Sequence, residues 1–271
     1  MDNLGHYHEH GYVILEDAVP PEQLGETVAA YDALVERALE KGHAERDPDS
    51  GRLKGYRFQN PHHPAICDPA VAAALSPPTL MEFCRELIGE PLALHGVAAF
   101  FMEPYYDYRG DWHRDSYYAW GKDSETELAH RLKEQFPTTQ ALVSLLDDLC
   151  LWLIPGSHNR ENTVEEEARF NHKRVGPDEM FPDAVRLEVK AGSVVPFDAR
   201  AIHRGWKPAD SAGPSRRSMF VVYGSVAALE DAVIGGWAAD AAYADPQYQD
   251  TLPTEFRAAL TETLGAVQAD R

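Results

Sequence analysis

The sequence has little cysteine and no disulfide pattern. Its three cysteines, Cys67, Cys84 and Cys150, are far apart and include no Cys-x-x-Cys pair. An odd number of separated cysteines argues against a disulfide framework and indicates buried thiols in a reducing compartment. The N-terminus also lacks the basic and apolar stretches of a signal peptide. We therefore expect a cytoplasmic protein.

The chain also lacks an excess of basic residues and a long apolar run. Its formal net charge is −19, so most of the surface would repel a phosphate backbone, and nucleic-acid binding is not expected. The most apolar window, residues 140–154, is interrupted by Asp147 and Asp148 and falls short of a membrane span. The 44% of hydrophobic residues indicates a globular protein. We expect a monomer or a homodimer without a membrane partner.

Hydrophobic periodicity predicts short strands with helices around them. Amphipathic spacing predicts helices over 21–39, 79–88 and 254–267. Apolar runs between turn residues predict strands at 11–15, 92–101, 140–146, 150–154, 185–189, 193–197 and 219–223. This pattern is typical of a mainly β fold with flanking helices and favours a double-sheet jelly roll.

The chain shows no repeat, low-complexity tract or linker, which predicts a single domain over residues 1–271. Its parts would be an N-terminal helical region at about 20–90, a jelly-roll core at about 92–224 and a C-terminal helix at about 254–268. The polar stretches 42–64 and 159–183 are long enough to form lids over a site.

Residues 111–115 carry the clearest chemical pattern in the chain. His113 and Asp115 are two residues apart, so an extended backbone directs both side chains to one face. A second histidine would complete a triad of two imidazoles and one carboxylate, which leaves three coordination positions open and suits Fe(II). His203 is the candidate for this role. The histidines within residues 6–10 are less suitable, because a chain terminus fixes ligand geometry poorly.

A basic pair opens the apolar run that follows His203. Arg216 and Ser218 share one face of the predicted strand, where a guanidinium and a hydroxyl suit the distal carboxylate of 2-oxoglutarate. Arg217 faces the other side and is the weaker candidate. A bare His-x-Asp pair is weak evidence, since hydrogen-bonded structural pairs are more common. Its combination with a distant histidine and an Arg-x-Ser strand is much more specific, and predicts an iron and 2-oxoglutarate site.

Several side chains near these motifs are candidates for substrate contacts. Tyr117, Tyr118 and Trp120 directly follow the ligand motif, where aromatic residues fit a pocket wall and the edge of the core equally well. Arg57 lies in the first polar stretch, and Trp206 follows the second ligand histidine. The expected partner is a small-molecule substrate.

Six stretches of the sequence form a wider pattern. They are 10–15 with the Pro-Glu helix that follows, 112–115, Gln140, 154–158, 203–205 and 216–223. This pattern resembles the phytanoyl-CoA dioxygenase family of Fe(II)- and 2-oxoglutarate-dependent oxygenases. The first stretch and the Pro-Gly-Ser-His stretch within 154–158 are scaffold features, so they support the resemblance independently of the metal ligands.

The resemblance implies a double-stranded β-helix core, which is a cupin-like jelly roll. The implied iron ligands are His113, Asp115 and His203. The implied co-substrate contacts are Arg216, Ser218 and Gln140. Two features depart from the family pattern: the acidic turn at 147–150 is shorter than usual, and Gly205 stands where some members carry a serine near the co-substrate.

The resemblance also implies a reaction. Fe(II), 2-oxoglutarate and O2 would serve to hydroxylate a small molecule, such as a natural-product or secondary-metabolite intermediate, with release of succinate and CO2. Desaturation, epoxidation or oxidative cyclisation would use the same residues. Halogenation is not expected, because related halogenases lack the carboxylate that Asp115 provides. Two other classes stay open, a cupin-type metal enzyme that does not use 2-oxoglutarate and a non-catalytic jelly-roll binding domain.

Overall fold

Strands in the described part of the chain form two antiparallel sheets. They are β1 (Arg57–Gln59), β2 (Leu92–Met102), β3 (Tyr108–Arg109), β4 (Thr138–Ser144), β5 (Leu151–Leu153), β6 (Val185–Arg186), β7 (Val194–Phe197), β8 (His203–Lys207) and β9 (Arg216–Ser225). The larger sheet has the order β1-β2-β9-β4-β7, and the smaller sheet has the order β3-β8-β5-β6. The structure is a computed structural model that describes residues 2–49, 51, 53–54, 57–103, 108–115, 138–169, 180–207, 215–229 and 234–269.

The larger sheet has two different faces, as β9 shows. Met219 and Val221 are fully buried on the face that packs against helices. Phe220 and Val222 alternate with them, point towards the smaller sheet and are partly exposed. A buried apolar cluster joins the two sheets, which therefore lie face to face. Its members are Leu142, Val195 and Phe197 of the larger sheet, Leu151 and Leu153 of the smaller sheet, and Leu187 and Val189 beside them.

Helices cover the outer face of the larger sheet. The described α-helices are α1 (Asn3–His10), α2 (Pro21–Lys41), α3 (Pro69–Leu75), α4 (Pro78–Ile88), α5 (Val164–Arg169), α6 (Pro246–Gln249) and α7 (Thr254–Ala269). Tyr31 of α2 is fully buried, and its hydroxyl donates to the Phe100 carbonyl of β2 at 2.8 Å. Thr263 of α7 pairs through its hydroxyl with the backbone of Leu94. None of the described helices has both the length and the apolar character needed to cross a membrane.

Most predicted elements are confirmed with small changes at their ends. The helices predicted from residues 21, 79 and 254 are α2, α4 and α7, and the strand predicted from residue 92 is β2. The strand predicted at 11–15 is reduced to two isolated bridges, Tyr12–Phe197 and Leu15–Val194. Helices α1, α3 and α6 and strands β3 and β8 were not predicted. The stretch 42–64 contains β1, and 159–183 contains α5, while residues 170–179 of the latter lie outside the described residues.

The Tyr31 contact gives a first prediction. We expect Tyr31→Phe to lower the free energy of unfolding by about 1–2 kcal/mol, because it removes a buried hydrogen bond between α2 and β2. Urea denaturation measures this change. Tyr12→Phe is the control, since the ring of this half-buried tyrosine packs against His6, and the expected change is below about 0.5 kcal/mol. Equal losses in the two variants would contradict this assignment.

Candidate metal and co-substrate site

His113, Asp115 and His203 converge at one end of the space between the sheets. His113 and His203 form an antiparallel bridge and exchange two backbone hydrogen bonds of 2.9 Å. One Asp115 oxygen lies 3.3 Å from Nε2 of His113, and the other lies 3.4 Å from Nε2 of His203. One ligand atom from each residue fits within 4.8 Å of the others. The structure therefore brings the three predicted ligands together.

The backbone fixes the orientation of both imidazoles. Nδ1 of His113 donates to the Asp111 carbonyl at 2.6 Å, and Nδ1 of His203 donates to the Ala201 carbonyl at 2.9 Å. Each histidine thus uses the carbonyl two residues before it. Because Nδ1 of each histidine is held by a carbonyl, Nε2 is the nitrogen that faces the centre of the triad, which is the arrangement of a metal-binding histidine.

Asp115 is held in its charged form. Burial by itself would raise the pKa of its carboxyl, but the two imidazoles outweigh burial and hold that pKa well below its usual range. Burial likewise opposes the charged form of His113, and the Asp115 carboxylate overcomes this and raises the pKa of the imidazole. Nε2 of Gln140 donates to Asp115 at 2.6 Å. The described contact of this predicted co-substrate residue is therefore with Asp115, a candidate metal ligand.

Arg114, between the two ligands of the motif, is fully buried and joins three segments of the chain. Its guanidinium donates to the Ser157 carbonyl at 2.7 Å and also to the Arg200 carbonyl, three residues before His203. Further donor contacts reach the Arg160 carbonyl and the side chain of Asn162. Arg114 thus fixes the ligand motif to both the Pro-Gly-Ser-His turn and the approach to His203.

The Pro-Gly-Ser-His turn supports His203 from the other side. The Ser157 hydroxyl donates to the Ile154 carbonyl at 2.6 Å and accepts the Ile202 N–H at 2.8 Å. Gly156 has a φ of +74°, a left-handed conformation that favours glycine, and its N–H donates to the His10 carbonyl. The turn therefore holds Ile202, the residue next to the candidate ligand His203, which agrees with its interpretation as a scaffold feature.

Arg216 and Ser218 lie on the interior face of the larger sheet. Both are buried, and Nε of Arg216 donates to the Asp148 carboxylate at 2.6 Å. The Arg216 guanidinium lies over the Phe100 ring, 4.9 Å from its centroid. Ser218 stands directly opposite Ser144 of β4, and neither hydroxyl has a hydrogen-bond partner among the described residues.

Arg217 lies on the opposite face of the same strand, as predicted. Its guanidinium donates to Asp32 of α2 at 2.6 Å and to Glu103 at 3.2 Å. It also lies 3.7 Å from the centroid of the Phe101 ring. These contacts belong to the interface between sheet and helices, so the structure separates Arg217 from the candidate site.

Tyr108 fills the space that a side chain at Gly205 would need. A Cβ at position 205 would lie 2.4 Å from Cε1 and 2.8 Å from the hydroxyl oxygen of Tyr108. The tyrosine packs with Phe100 and Met102 on the interior face and lies near the Arg216 guanidinium. Where some family members carry a serine, this chain has Gly205, and the Tyr108 ring from the neighbouring strand β3 fills the space of the missing side chain.

The predicted substrate residues have different positions. Arg57 pairs with Phe100 across β1 and β2, is exposed, and lies 5.9 Å from the centroid of the Phe100 ring on the interior face. Trp206 lies on the outer face of the smaller sheet beside Trp152, because it alternates with the inward-pointing His203. The structure therefore does not bring Trp206 to the metal ligands. Tyr117, Tyr118 and Trp120 lie outside the described residues.

Four residues around the site were not identified from the sequence. Arg114 lies inside the ligand motif and Asp148 inside the acidic turn, but neither was given a role, and Tyr108 was not singled out. Ser144 lies four residues after Gln140 on the same strand, so strand alternation could have placed both on one face. The partners of the other three come from distant segments, which no local pattern reveals.

The comparison with known families agrees with this geometry. A sequence profile of the phytanoyl-CoA dioxygenase family (PhyH) matches residues 7–218. The chain belongs to this family. The resemblance seen in the sequence is confirmed, and with it the assignment to the non-heme iron, 2-oxoglutarate-dependent oxygenases. Comparison with curated protein sequences finds no match.

Solved structures show the same fold at low sequence identity. EctD from S. alaskensis with bound Fe superposes with a TM-score of 0.61 at 20% identity, over 82% of this chain and 75% of that one. The α-ketoglutarate-dependent epimerase SnoN from nogalamycin biosynthesis gives 0.57 at 18%, over 83% and 82% of the two chains. The carbocyclase SnoK from the same biosynthesis gives 0.57 at 22%, over 83% of each chain.

The contact between Tyr108 and Gly205 predicts a coupled effect. We expect Gly205→Ser to cost about 1–3 kcal/mol of unfolding free energy in the wild-type protein, because the new Cβ overlaps the tyrosine ring. The same change should cost clearly less in a Tyr108→Ala background, as a double-mutant cycle of denaturation midpoints would show. Gly25→Ser is the control, since nothing lies within 4 Å of a Cβ at that helical position. Additive effects at 108 and 205 would contradict the contact.

The Arg114 network predicts that a lysine cannot replace this arginine. Lysine keeps the charge but loses the planar fork that reaches several carbonyls. We expect Arg114→Lys to lower the unfolding free energy by about 2–4 kcal/mol and to weaken Fe(II) binding. Arg46→Lys, which changes an exposed arginine paired with Glu36, should cost less than about 1 kcal/mol. Calorimetry and anaerobic metal titration test both. Unchanged iron affinity in Arg114→Lys would show that the network does not shape the metal site.

Proposed function

We propose that this chain binds Fe(II) through His113, Asp115 and His203, binds 2-oxoglutarate through Arg216 and Ser218, and hydroxylates a small-molecule substrate. The observation that carries the proposal is the convergence of two Nε2 atoms and one carboxylate at one end of an interior face that also carries a buried arginine. Neither the two histidines with the carboxylate nor the buried arginine alone would require an iron and 2-oxoglutarate site. Together they supply ligands for a metal and a cation for an anionic co-substrate.

The residues fit the metal. Two neutral imidazoles and a carboxylate are the donor set of non-heme Fe(II) sites and leave three positions free for other ligands. The backbone carbonyls that fix Nδ1 of each histidine, and the Gln140 amide that fixes Asp115, would hold these ligands in place. Bound iron would supply the activation of O2 that is coupled to conversion of 2-oxoglutarate to succinate and CO2.

The residues also fit the co-substrate. The two terminal nitrogens of Arg216 have no hydrogen-bond partner in the described part of the chain, although the side chain is buried. The hydroxyls of Ser218 and Ser144, which face each other on the same sheet face, are also buried and unpartnered there. Unsatisfied buried hydroxyls are costly, and a carboxylate that accepts from them, as well as from the guanidinium, would remove this cost.

We interpret the two facing sheets as a double-stranded β-helix within a single domain. The solved relatives support this reading and the choice of ligands. EctD was crystallised with 2-oxoglutarate and 5-hydroxyectoine, and SnoN with Fe3+, α-ketoglutarate and nogalamycin RO. Both ligand sets include a small organic molecule besides the co-substrate. We extend this to a small-molecule substrate here.

Arg57 is our candidate for a substrate contact among the described residues. Its exposed guanidinium lies over Phe100 on the interior face, close to the proposed co-substrate residues. Tyr117, Tyr118 and Trp120 follow the ligand motif directly and stay candidates from the sequence. Hydroxylation is preferred over desaturation, epoxidation or cyclisation as the simplest outcome of this ligand set, and SnoN and SnoK show that epimerases and carbocyclases also share the fold.

Anaerobic titration tests the proposal directly. Fe(II) and 2-oxoglutarate added to the protein should produce a visible charge-transfer band. His113→Ala should abolish iron binding, because it removes one of three ligands. Arg216→Ala should keep iron but require at least about tenfold more 2-oxoglutarate, because a buried charge-assisted hydrogen-bond donor is lost.

Two controls make the titration specific. His8→Ala changes an exposed histidine of α1, and Arg217→Ala changes the neighbouring arginine on the helix-facing side. Neither should alter the iron stoichiometry or the 2-oxoglutarate requirement. Stoichiometric iron without a charge-transfer band would reject the 2-oxoglutarate site and favour a cupin-type metal enzyme. Absence of iron binding would favour a non-catalytic binding domain.

A further inference from the structure

Asp148 is a buried carboxylate whose oxygens are both engaged. One oxygen accepts Nε–H of Arg216 at 2.6 Å, and the other accepts the Cys150 N–H at 2.7 Å. The backbone of Asp148 exchanges two hydrogen bonds with Val189, at 2.8 and 3.0 Å. Main chain and side chain are thus both fixed, so Asp148 provides a rigid support for the arginine.

This support leaves one edge of the arginine available. Asp148 takes the Nε–H, and the ring of Phe100 lies against the guanidinium at 4.9 Å. The two terminal nitrogens have no hydrogen-bond partner among the described residues. Burial disfavours the charged guanidinium, but Asp148 outweighs burial and raises the pKa of Arg216 above its usual value. The group is therefore a permanent cation with a fixed plane.

We propose that Asp148 is a positioning residue that orients Arg216, so that its terminal nitrogens are presented to the distal carboxylate of 2-oxoglutarate. This inference rests on the proposed function, since it concerns the same co-substrate site. A guanidinium binds a carboxylate best through two parallel hydrogen bonds, which require a defined orientation of its plane. Asp148 supplies that orientation from the side opposite to the ligand.

Two effects of Asp148 on the co-substrate oppose each other. Its negative charge repels the distal carboxylate, whereas its hydrogen bond fixes the group that binds this carboxylate. We expect orientation to dominate, because the carboxylate is already neutralised by the guanidinium that it contacts. Loss of Asp148 would leave a buried guanidinium free to rotate towards the Cys150 backbone or the Phe100 ring, away from its ligand.

The test compares 2-oxoglutarate with an oxo acid of the same chain length that lacks the distal carboxylate. 2-Oxopentanoate has the chain length of 2-oxoglutarate but no distal carboxylate. Binding of each to the Fe(II)-loaded protein is measured anaerobically by the charge-transfer band or by calorimetry. We expect Asp148→Asn to reduce the preference for 2-oxoglutarate over 2-oxopentanoate by at least about tenfold, with little change in the affinity for 2-oxopentanoate. A general loss of structure would weaken both alike.

Asp147→Asn is the matched control, because this neighbouring aspartate is half-exposed and contacts Ala191 and Lys190 on the surface. It should leave the preference unchanged. If Asp148→Asn does not fold, Asp148→Glu displaces the carboxylate by one methylene while keeping its charge, and it should also reduce the preference.

Two results would overturn the inference. The first is an unchanged preference in a folded Asp148 variant, which includes an equal loss for both oxo acids. The second is tighter 2-oxoglutarate binding, which would show that repulsion dominates. Failure of the proposed function looks different, since the wild-type protein itself would then show no preference for 2-oxoglutarate. In that case the positioning role falls with it.

Discussion

The geometry of the candidate site depends on the buried guanidinium of Arg114. A buried charge is tolerated only when its donors are satisfied, and the described acceptors here are backbone carbonyls and an amide side chain. They belong to the Pro-Gly-Ser-His turn, to the segment after it and to the approach to His203. The cost of burying the charge is therefore offset only when these segments lie together. This couples the fold to the spacing of the ligands.

The larger sheet separates two sets of charged side chains by strand alternation. Arg216 points inwards to Asp148 and the proposed co-substrate site, whereas Arg217 points outwards to Asp32 and Glu103 and fixes helix α2 to the sheet. The two adjacent arginines therefore have different surroundings: Arg216 faces the interior, and Arg217 lies in the interface with α2. The same alternation places the inward-pointing His203 and the outward-pointing Trp206 on opposite faces of β8.

Local patterns in the sequence were sufficient to select the three residues that the structure brings together as candidate metal ligands, and to predict the face of Arg216. His113 and Asp115 share a face because they are two residues apart, and a single strand direction separates Arg216 from Arg217. Asp148 could not be found this way, because its partner Arg216 lies 68 residues further along the chain. Tyr108 is similar: only the pairing of β3 with β8 brings its ring to Gly205. Strand β8 was not predicted, so strand alternation could not show that Trp206 lies on the face opposite His203.

A crystal structure of the protein with Fe(II) and 2-oxoglutarate, grown without O2, would test the central claim that the site is already formed by the protein. Iron should be bound by Nε2 of both histidines and by Asp115, with Nδ1 of each histidine still donating to its backbone carbonyl. The distal carboxylate should lie on the terminal nitrogens of Arg216 while Asp148 keeps Nε. A distal carboxylate bound elsewhere, or an Arg216 that leaves Asp148 to reach it, would contradict the account.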